Sequence, residues 1–342
     1  MSGALDGLVV IDRSGTIAGQ YCARLLSDFG AEVWLAEAAP GRPAIAAAPP
    51  RGSIGDIHLN AGKRRGAPEA RPDIVLCAPG EDPDTLLGGA EAPIAVVIDG
   101  FGPDGPRAGW RAPEIVLQAA SGMMISNGVR GREPLYGTGQ RASYAAGLAA
   151  YVQIMASLRV RAEGDADTWA GDAIRVDAAE TASAMCFPYA LQAIYNGTDR
   201  RRGDQDIPAG QVLCRGSWVC LWVYSNRFAA LCERLGLEAC LDDPRFREVP
   251  ERQKHWPAFF ALVEEKVADR DPEEFVAELQ GMRIIAARAY RISELRESPH
   301  LAARGYWRNV TIDGREYVLP GPAFRLGATP ARDIGGDADA AA

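Results

Sequence analysis

Residues 5–37, LDGLVVIDRSGTIAGQYCARLLSDFGAEVWLAE, constrain the fold more than any other stretch, because they read as strand, tight loop, helix and strand. Leu8-Val9-Val10-Ile11 is a short apolar, β-branched run of the kind buried in a parallel sheet. Asp12 to Gly19 holds two glycines among small residues, so the backbone can turn sharply and lie close to a ligand. Tyr21, Leu25, Leu26 and Phe29 then fall at core-facing helical spacing, and Gly30 supplies the stop. Ala31 to Leu35 begins a second strand and completes a βαβ unit. In open α/β sheets, ligands sit against loops at the carboxyl ends of such strands. The glycine spacing is not G-x-G-x-x-G, so no dinucleotide site is expected.

The chain has 342 residues, enough for one large or two moderate domains. It contains no apolar run of membrane-spanning length and no charged-then-apolar leader, so a cytoplasmic setting without a membrane partner is expected. A net charge of −8 argues against a nucleic-acid partner. The 7 cysteines are irregularly spaced with no C-x-x-C pair, and the 3 histidines are scattered. Neither a metal centre nor a disulfide framework is expected from that pattern.

Read in order, residues 1–195 form the first part of a large α/β domain, and the polar, glycine-rich stretch 196–211 is a linker. Residues 212–290 form a small α+β domain. It opens on a strand pair about Arg215-Gly216-Ser217 and continues into helices, one starting at Asp271-Pro272-Glu273 and stopping at Gly281. Trp222, Trp256, Phe259 and Phe260 are expected in its core. Residues 291–342 return to the large domain, and the small, acidic tail from Gly335 is expected to fray. Residues 38–56, rich in Pro, Ala and Gly, read as a loop over the sheet.

The wording of several segments resembles the class III CoA-transferases, a family that includes formyl-CoA transferase, carnitine CoA-transferase and α-methylacyl-CoA racemase. The resemblance is carried by L-x-G-L-x-V-x-D with I-A-G-x-Y-C-A-R-L-L-x-D-x-G-A-E-V at the start, and by Leu59-Asn60-Ala61-Gly62-Lys63-Arg64. It continues in Gly100-Phe101-Gly102, in Ile115 to Gly122, and in Ser293 to Arg304. It implies a Rossmann-like large domain built from both ends of the chain, an inserted small α+β domain and an interlocked dimer. It also implies coenzyme A or acyl-CoA as substrate, with no metal. On that footing Thr16, Ile17 and Ala18 of the first loop, with Asn60, Lys63 and Arg64, form the expected CoA side. Lys63-Arg64 is read there as a cationic pair suited to phosphates; without the resemblance it reads as a solvated basic turn. Relatives carry a connecting helix after this segment that is missing here, and the Asn and Arg of their next loop are absent.

Class III transferases use an aspartate that attacks the thioester, forms a mixed anhydride and then carries CoA as an enzyme thioester. Only a carboxylate can form both species. The matching segment here, Arg141-Ala142-Ser143-Tyr144-Ala145-Ala146-Gly147, carries Ser143 in the aspartate position, and the racemase His-Asp pair reads Pro113-Glu114. Three readings follow. The chain is a non-catalytic subunit, in a homodimer or a heterodimer with a catalytic class III homologue. Or it is an active CoA-ester enzyme using Glu114, Glu133 or Tyr144. Or it binds CoA esters as a scaffold without turnover.

Overall fold

The structure, a computed structural model, describes residues 3–36, 45–89, 91–128, 131–164, 168–198 and 207–334. The expected linker therefore lies partly, and the expected frayed tail wholly, outside the described residues. The chain divides into one compact unit of residues 1–202 and 299–342 and a second of residues 203–298.

The first unit opens with β1 (Val9–Asp12), α1 (Ile17–Asp28) and β2 (Glu32–Leu35). Gly30, at φ 121°, makes the turn that no L side chain would take without strain. α2 (Ile54–Asn60) and the two-residue β3 (Arg64–Arg65) follow, so the expected loop over 38–56 gives way to helix at Ile54. Ser53 explains that start, because its side chain accepts the Asp56 backbone N–H as an N-cap. β4 (Ile74–Leu76), β5 (Ile94–Asp99), α3 (Glu114–Ala120) and α4 (Arg141–Glu163) come next. β6 (Asp172–Asp177), α5 (Ala178–Ala184) and α6 (Phe187–Asn196) complete this part.

The six strands pair in parallel in the order β3-β2-β1-β4-β5-β6, the doubly wound arrangement whose strand order reverses between β1 and β4. Residues 66–73 between β3 and β4 contain no helix. β4 and the first five residues of β5 are buried throughout, as a parallel sheet covered on both faces requires, whereas β1 and β2 bury only alternate residues.

α1 and α4 pack on one face of this sheet. Ala142, Ala146, Ala150 and Ile154 repeat every four residues and are buried, forming the inward stripe of α4. A Cβ added at Gly147 would stand 2.4 Å from the Ala18 carbonyl oxygen, so glycine sets how closely the two helices approach.

The second unit pairs β7 (Ala209–Cys214), β8 (Ser217–Trp222) and, after its helices, β9 (Ile285–Arg288) into an antiparallel sheet. Its helices are α7 (Ser225–Leu235), α8 (Ala239–Asp242), α9 (Val249–Val267) and α10 (Pro272–Gly281). Asp271 caps α10 by accepting the N–H groups of Glu273 and Glu274. Trp256, Phe259 and Phe260 are buried in this unit's core, as expected, and Trp222 is half-buried. After α11 (Pro299–Ala303), the hairpin β10 (Trp307–Ile312) and β11 (Arg315–Pro320) belongs to the first unit again. Arg308 reaches back to buried Asp28 at 2.8 Å, and Phe324 stacks on Phe29 with ring centroids 4.5 Å apart.

Among the described residues no helix is long and apolar enough to cross a membrane, and no group of three or more His, Cys, Asp or Glu residues is placed to hold a metal.

Candidate functional site

All of the expected site residues but Arg64 and Glu133 lie around the first turns of two helices, α1 and α4. At α1, fully buried Thr16 is the N-cap, its Oγ1 accepting the Gly19 N–H at 3.1 Å. Ile17 donates its N–H to the Ala46 carbonyl, and the Ala18 carbonyl faces Gly147 of α4. The loop between β1 and α1 is therefore held from both sides. Asp12 supports it from within, one carboxylate oxygen accepting both the N–H and the hydroxyl of Ser14, at 3.1 and 2.7 Å.

Lys63 points into this support. Its ammonium donates to the Gln20 carbonyl at 2.8 Å and to Asn60 Oδ1 at 2.9 Å, and lies 3.7 Å from the Asp12 carboxylate. Asn60 in turn donates to Gln20 Oε1 and to Asp56. Burial lowers the Lys63 pKa to about 8, with Asp12 pulling it back up. Burial, reinforced by Asp12, pushes the neighbouring Cys22 thiol well above its usual range.

Arg64 points the other way. It is exposed, pairs with Glu32 at 2.7 Å and lies over the Trp34 ring at 5.4 Å. The expected cationic pair is thus split. Successive side chains at a strand leave on opposite sides, which sends one cation into the core and the other into solvent.

At α4 the residue before the helix, Gln140, takes a left-handed conformation (φ 53°), and no side chain of the helix's own caps it. The cap comes from α3. Glu114, 4% exposed, accepts the N–H groups of Ala142 and Ser143 at 2.8 and 3.1 Å and the Ser143 hydroxyl at 2.8 Å. It also accepts the Gln118 side-chain amide at 2.8 Å, and that amide is clamped onto both backbone groups of Gly137. A buried carboxylate at a helix N-terminus with four donors is stabilised without any cation. It also has little acceptor capacity left for a substrate proton.

The structure therefore joins Ser143 and Glu114 in one network. Tyr144 lies beside it on α4, packing edge-on against Tyr21 at 4.7 Å, and burial raises its pKa. Glu133 sits on an exposed loop and pairs with Arg132 at 3.1 Å. Gln20 and Asp12, around Lys63, emerge as site residues that sequence reading did not single out, and Gln118, noted there only as part of the Ile115 to Gly122 wording, joins them beside Glu114. Gln118 stands four residues from Glu114 on one helix face, a spacing that could have flagged it.

Comparison with known proteins gives this geometry a family. The match to CoA-transferase family III covers residues 5–53 and 80–336. The interval between them holds Asn60, Lys63, Arg64 and the helix-free crossover. A probable CoA-transferase of Mycobacterium tuberculosis, Rv1866, is 29% identical over 314 residues, 82% of this chain. The chain spans only 39% of that relative's length. An acyl-CoA transferase of Fusarium pseudograminearum is 25% identical over 95% of this chain and 80% of its own length.

Among solved structures, a CAIB/BAIF family protein from Brucella suis superposes with a TM-score of 0.81 at 22% identity, covering 98% of this chain and 96% of that one. A hypothetical protein of Mycobacterium tuberculosis, Rv3272, gives 0.77 at 20% identity over 98% and 96% of the two chains. These likenesses carry the fold. Together with the match over most of its length, they place the α/β chain: it belongs to CoA-transferase family III.

Proposed function

We propose that this chain handles acyl-CoA thioesters as a non-catalytic subunit, paired in the cytoplasm with a catalytic homologue. The observation that carries the reading is the Ser143–Glu114 contact. In this reading Ser143 stands where the family aspartate attacks the thioester, and a hydroxyl cannot form the anhydride and the enzyme–CoA thioester in turn. Glu114 cannot take over, because its four hydrogen bonds are spent on the start of α4.

Pairing is supported by the outer surface of the first unit. Ile194 and Tyr195 at the end of α6 are 71% and 80% exposed, with Leu191 beside them and Val152 and Val160 open on α4. The CoA surface in this proposal is the Thr16-Ile17-Ala18 loop, with Asn60 and Lys63 as its buried support and Arg64 at its exposed edge.

A second reading draws on the same contact. A carboxylate 2.8 Å from a serine hydroxyl can act as its base. Ser143 would then take the acyl group as an ester, releasing CoA as the thiol, and water would free the acid.

One experiment separates the two. The purified chain is incubated with a short acyl-CoA, alone and after co-expression with an intact class III homologue, and followed by native and intact-mass spectrometry. The subunit reading expects a heterodimer that exchanges CoA and a lone chain that does not. It also expects no acyl adduct on Ser143 in either sample, and no CoA exchange from Ser143→Asp alone. An acyl adduct abolished by Ser143→Ala would establish the second reading and overturn the first. Stoichiometric CoA binding with neither pairing nor turnover would leave a scaffold.

A further inference from the structure

Three cations are buried among the described residues: Arg24, Lys63 and Arg252. Two of them are matched by carboxylates. Arg24 pairs with Asp28 at 3.0 Å, and Lys63 lies 3.7 Å from Asp12. Arg252, in the first turn of α9 and 7% exposed, has no ion-pair partner among the described residues. Glu248, the acid whose charge it feels, is exposed and sits 3.6 Å from Arg247. Cys232, the other titratable group beside it, does not supply the counter-charge, because burial pushes that thiol up to about 12. Burial also pushes the Arg252 guanidinium below its usual range, and the positive end of α9 adds to a charge that nothing in the second unit balances.

The guanidinium is held in place without being used up. Its Nε donates to the Phe246 carbonyl at 2.7 Å and its Nη2 to the Arg247 carbonyl at 3.1 Å, while its central carbon lies 3.7 Å from the centroid of the Phe228 ring. Nη1 is buried and has no hydrogen-bond partner. The second observation is independent of the arginine. The indole N–H of Trp256, a residue 2% exposed, is also buried without a partner. Trp256 stands one turn beyond Arg252 on the same face of α9, and its ring meets Phe228 edge-on at 6.1 Å. Two bare donors, one of them on a cation, thus border a single ring. Each costs stability while it lacks an acceptor, and the acceptor that answers both is one that carries negative charge.

We propose that Arg252 Nη1 and the Trp256 indole N–H hold a monovalent anion of chloride size inside the second unit. The surrounding rings of Phe228, Phe246 and Phe259 are buried and add no donor. A phosphate or sulfate would leave its remaining oxygens unpartnered there, which a halide does not. The anion does for Arg252 what Asp28 does for Arg24. The assignment lies within the second unit and does not depend on the CoA reading.

The test uses the full chain, with sodium chloride exchanged for sodium gluconate at constant ionic strength and thermal unfolding as the readout. Crystals soaked in sodium bromide locate the ion by its anomalous scattering. An anion bound only by the native state stabilises in a saturating way, so the unfolding midpoint should climb with chloride or bromide and level off. Trp256→Phe, which removes one donor and keeps a ring, should weaken the apparent halide affinity about tenfold. Arg252→Met should abolish the halide dependence; if that variant fails to fold, Trp256→Phe and the bromide position decide. The bromide peak is expected beside Arg252 Nη1. A peak there with a midpoint indifferent to halide would mean an adventitious ion only and overturn the proposal. So would a halide dependence unchanged in Trp256→Phe, or a water in place of bromide accepting both N–H groups.

Discussion

The first turns of α1 and α4 are closed in opposite ways. α1 caps itself with Thr16, and the nearby charge of Asp12 is offset by a buried cation, Lys63. α4 has no cap of its own and borrows the carboxylate of Glu114, 29 residues upstream of Ser143, with only hydrogen-bond donors around it. Both are places where a helix N-terminus could face an anionic ligand. At both, backbone donors of the first turn are consumed by the chain itself: at α1 Ile17 donates to the Ala46 carbonyl and Gly19 to Thr16 Oγ1, and at α4 Ala142 and Ser143 donate to Glu114. A backbone carbonyl at α1 and a side chain from another helix at α4 thus do the same work for a helix start.

The largest expected effect falls on the α1 side. Lys63→Met leaves the Asp12 carboxylate buried and unopposed, and should cost about 4 kcal/mol in denaturant unfolding. The double variant with Asp12→Asn should recover most of that, and failure to do so would break the pairing argument.

The same lysine predicts a pH dependence. Its folded-state pKa of about 8 lies below the ordinary 10.5, so across that window the unfolded chain holds the extra proton and stability rises with pH. The rise is at most about 1.4 kcal/mol per pH unit. Cys22 and Tyr151, raised by burial, pull the other way at high pH. The quantity to measure is therefore the difference between the parent and Lys63→Met from pH 7.5 to about pH 10; a difference that does not change with pH would remove the lysine from the account.

On the α4 side the expected costs are smaller. Glu114→Ala strands the donors at the start of the helix and should cost about 3 kcal/mol, with Glu114→Gln retaining part of the cap. Amide hydrogen exchange at Ala142 and Ser143 would sharpen this, since those amides should lose protection first. Ser143→Ala removes one of four bonds to Glu114 and should cost about 1 kcal/mol in thermal unfolding. A much larger loss would mean that the hydroxyl, and not the backbone, fixes the cap.

Much of the α1 side was legible in the sequence. The strand–loop–helix–strand pattern is local, and β1, α1, Gly30 and β2 follow from spacing and a single stop residue. The Asp271 cap of α10 was legible for the same reason. Side-chain direction at Lys63 was not, because a basic pair beside a turn looks alike whether one or both cations face water. The Glu114–Ser143 contact bridges two helices, and periodicity says nothing about pairs so far apart. Ser143 drew attention only through the wording of its segment, and Glu114 entered as one of three alternatives.

The uneven burial of the parallel sheet has a consequence for how this chain can change over time. Ile74, Val75 and Leu76 of β4 and Ile94 to Ile98 of β5 are enclosed on both faces, so nearly every substitution there meets close-packed neighbours. In β1 and β2 the alternate positions Val9, Ile11, Glu32 and Trp34 are only half enclosed. Substitutions are thus expected to be better tolerated on one side of a single sheet than on the other. That same side borders the crossover over 66–73, where the chain already dispenses with a helix.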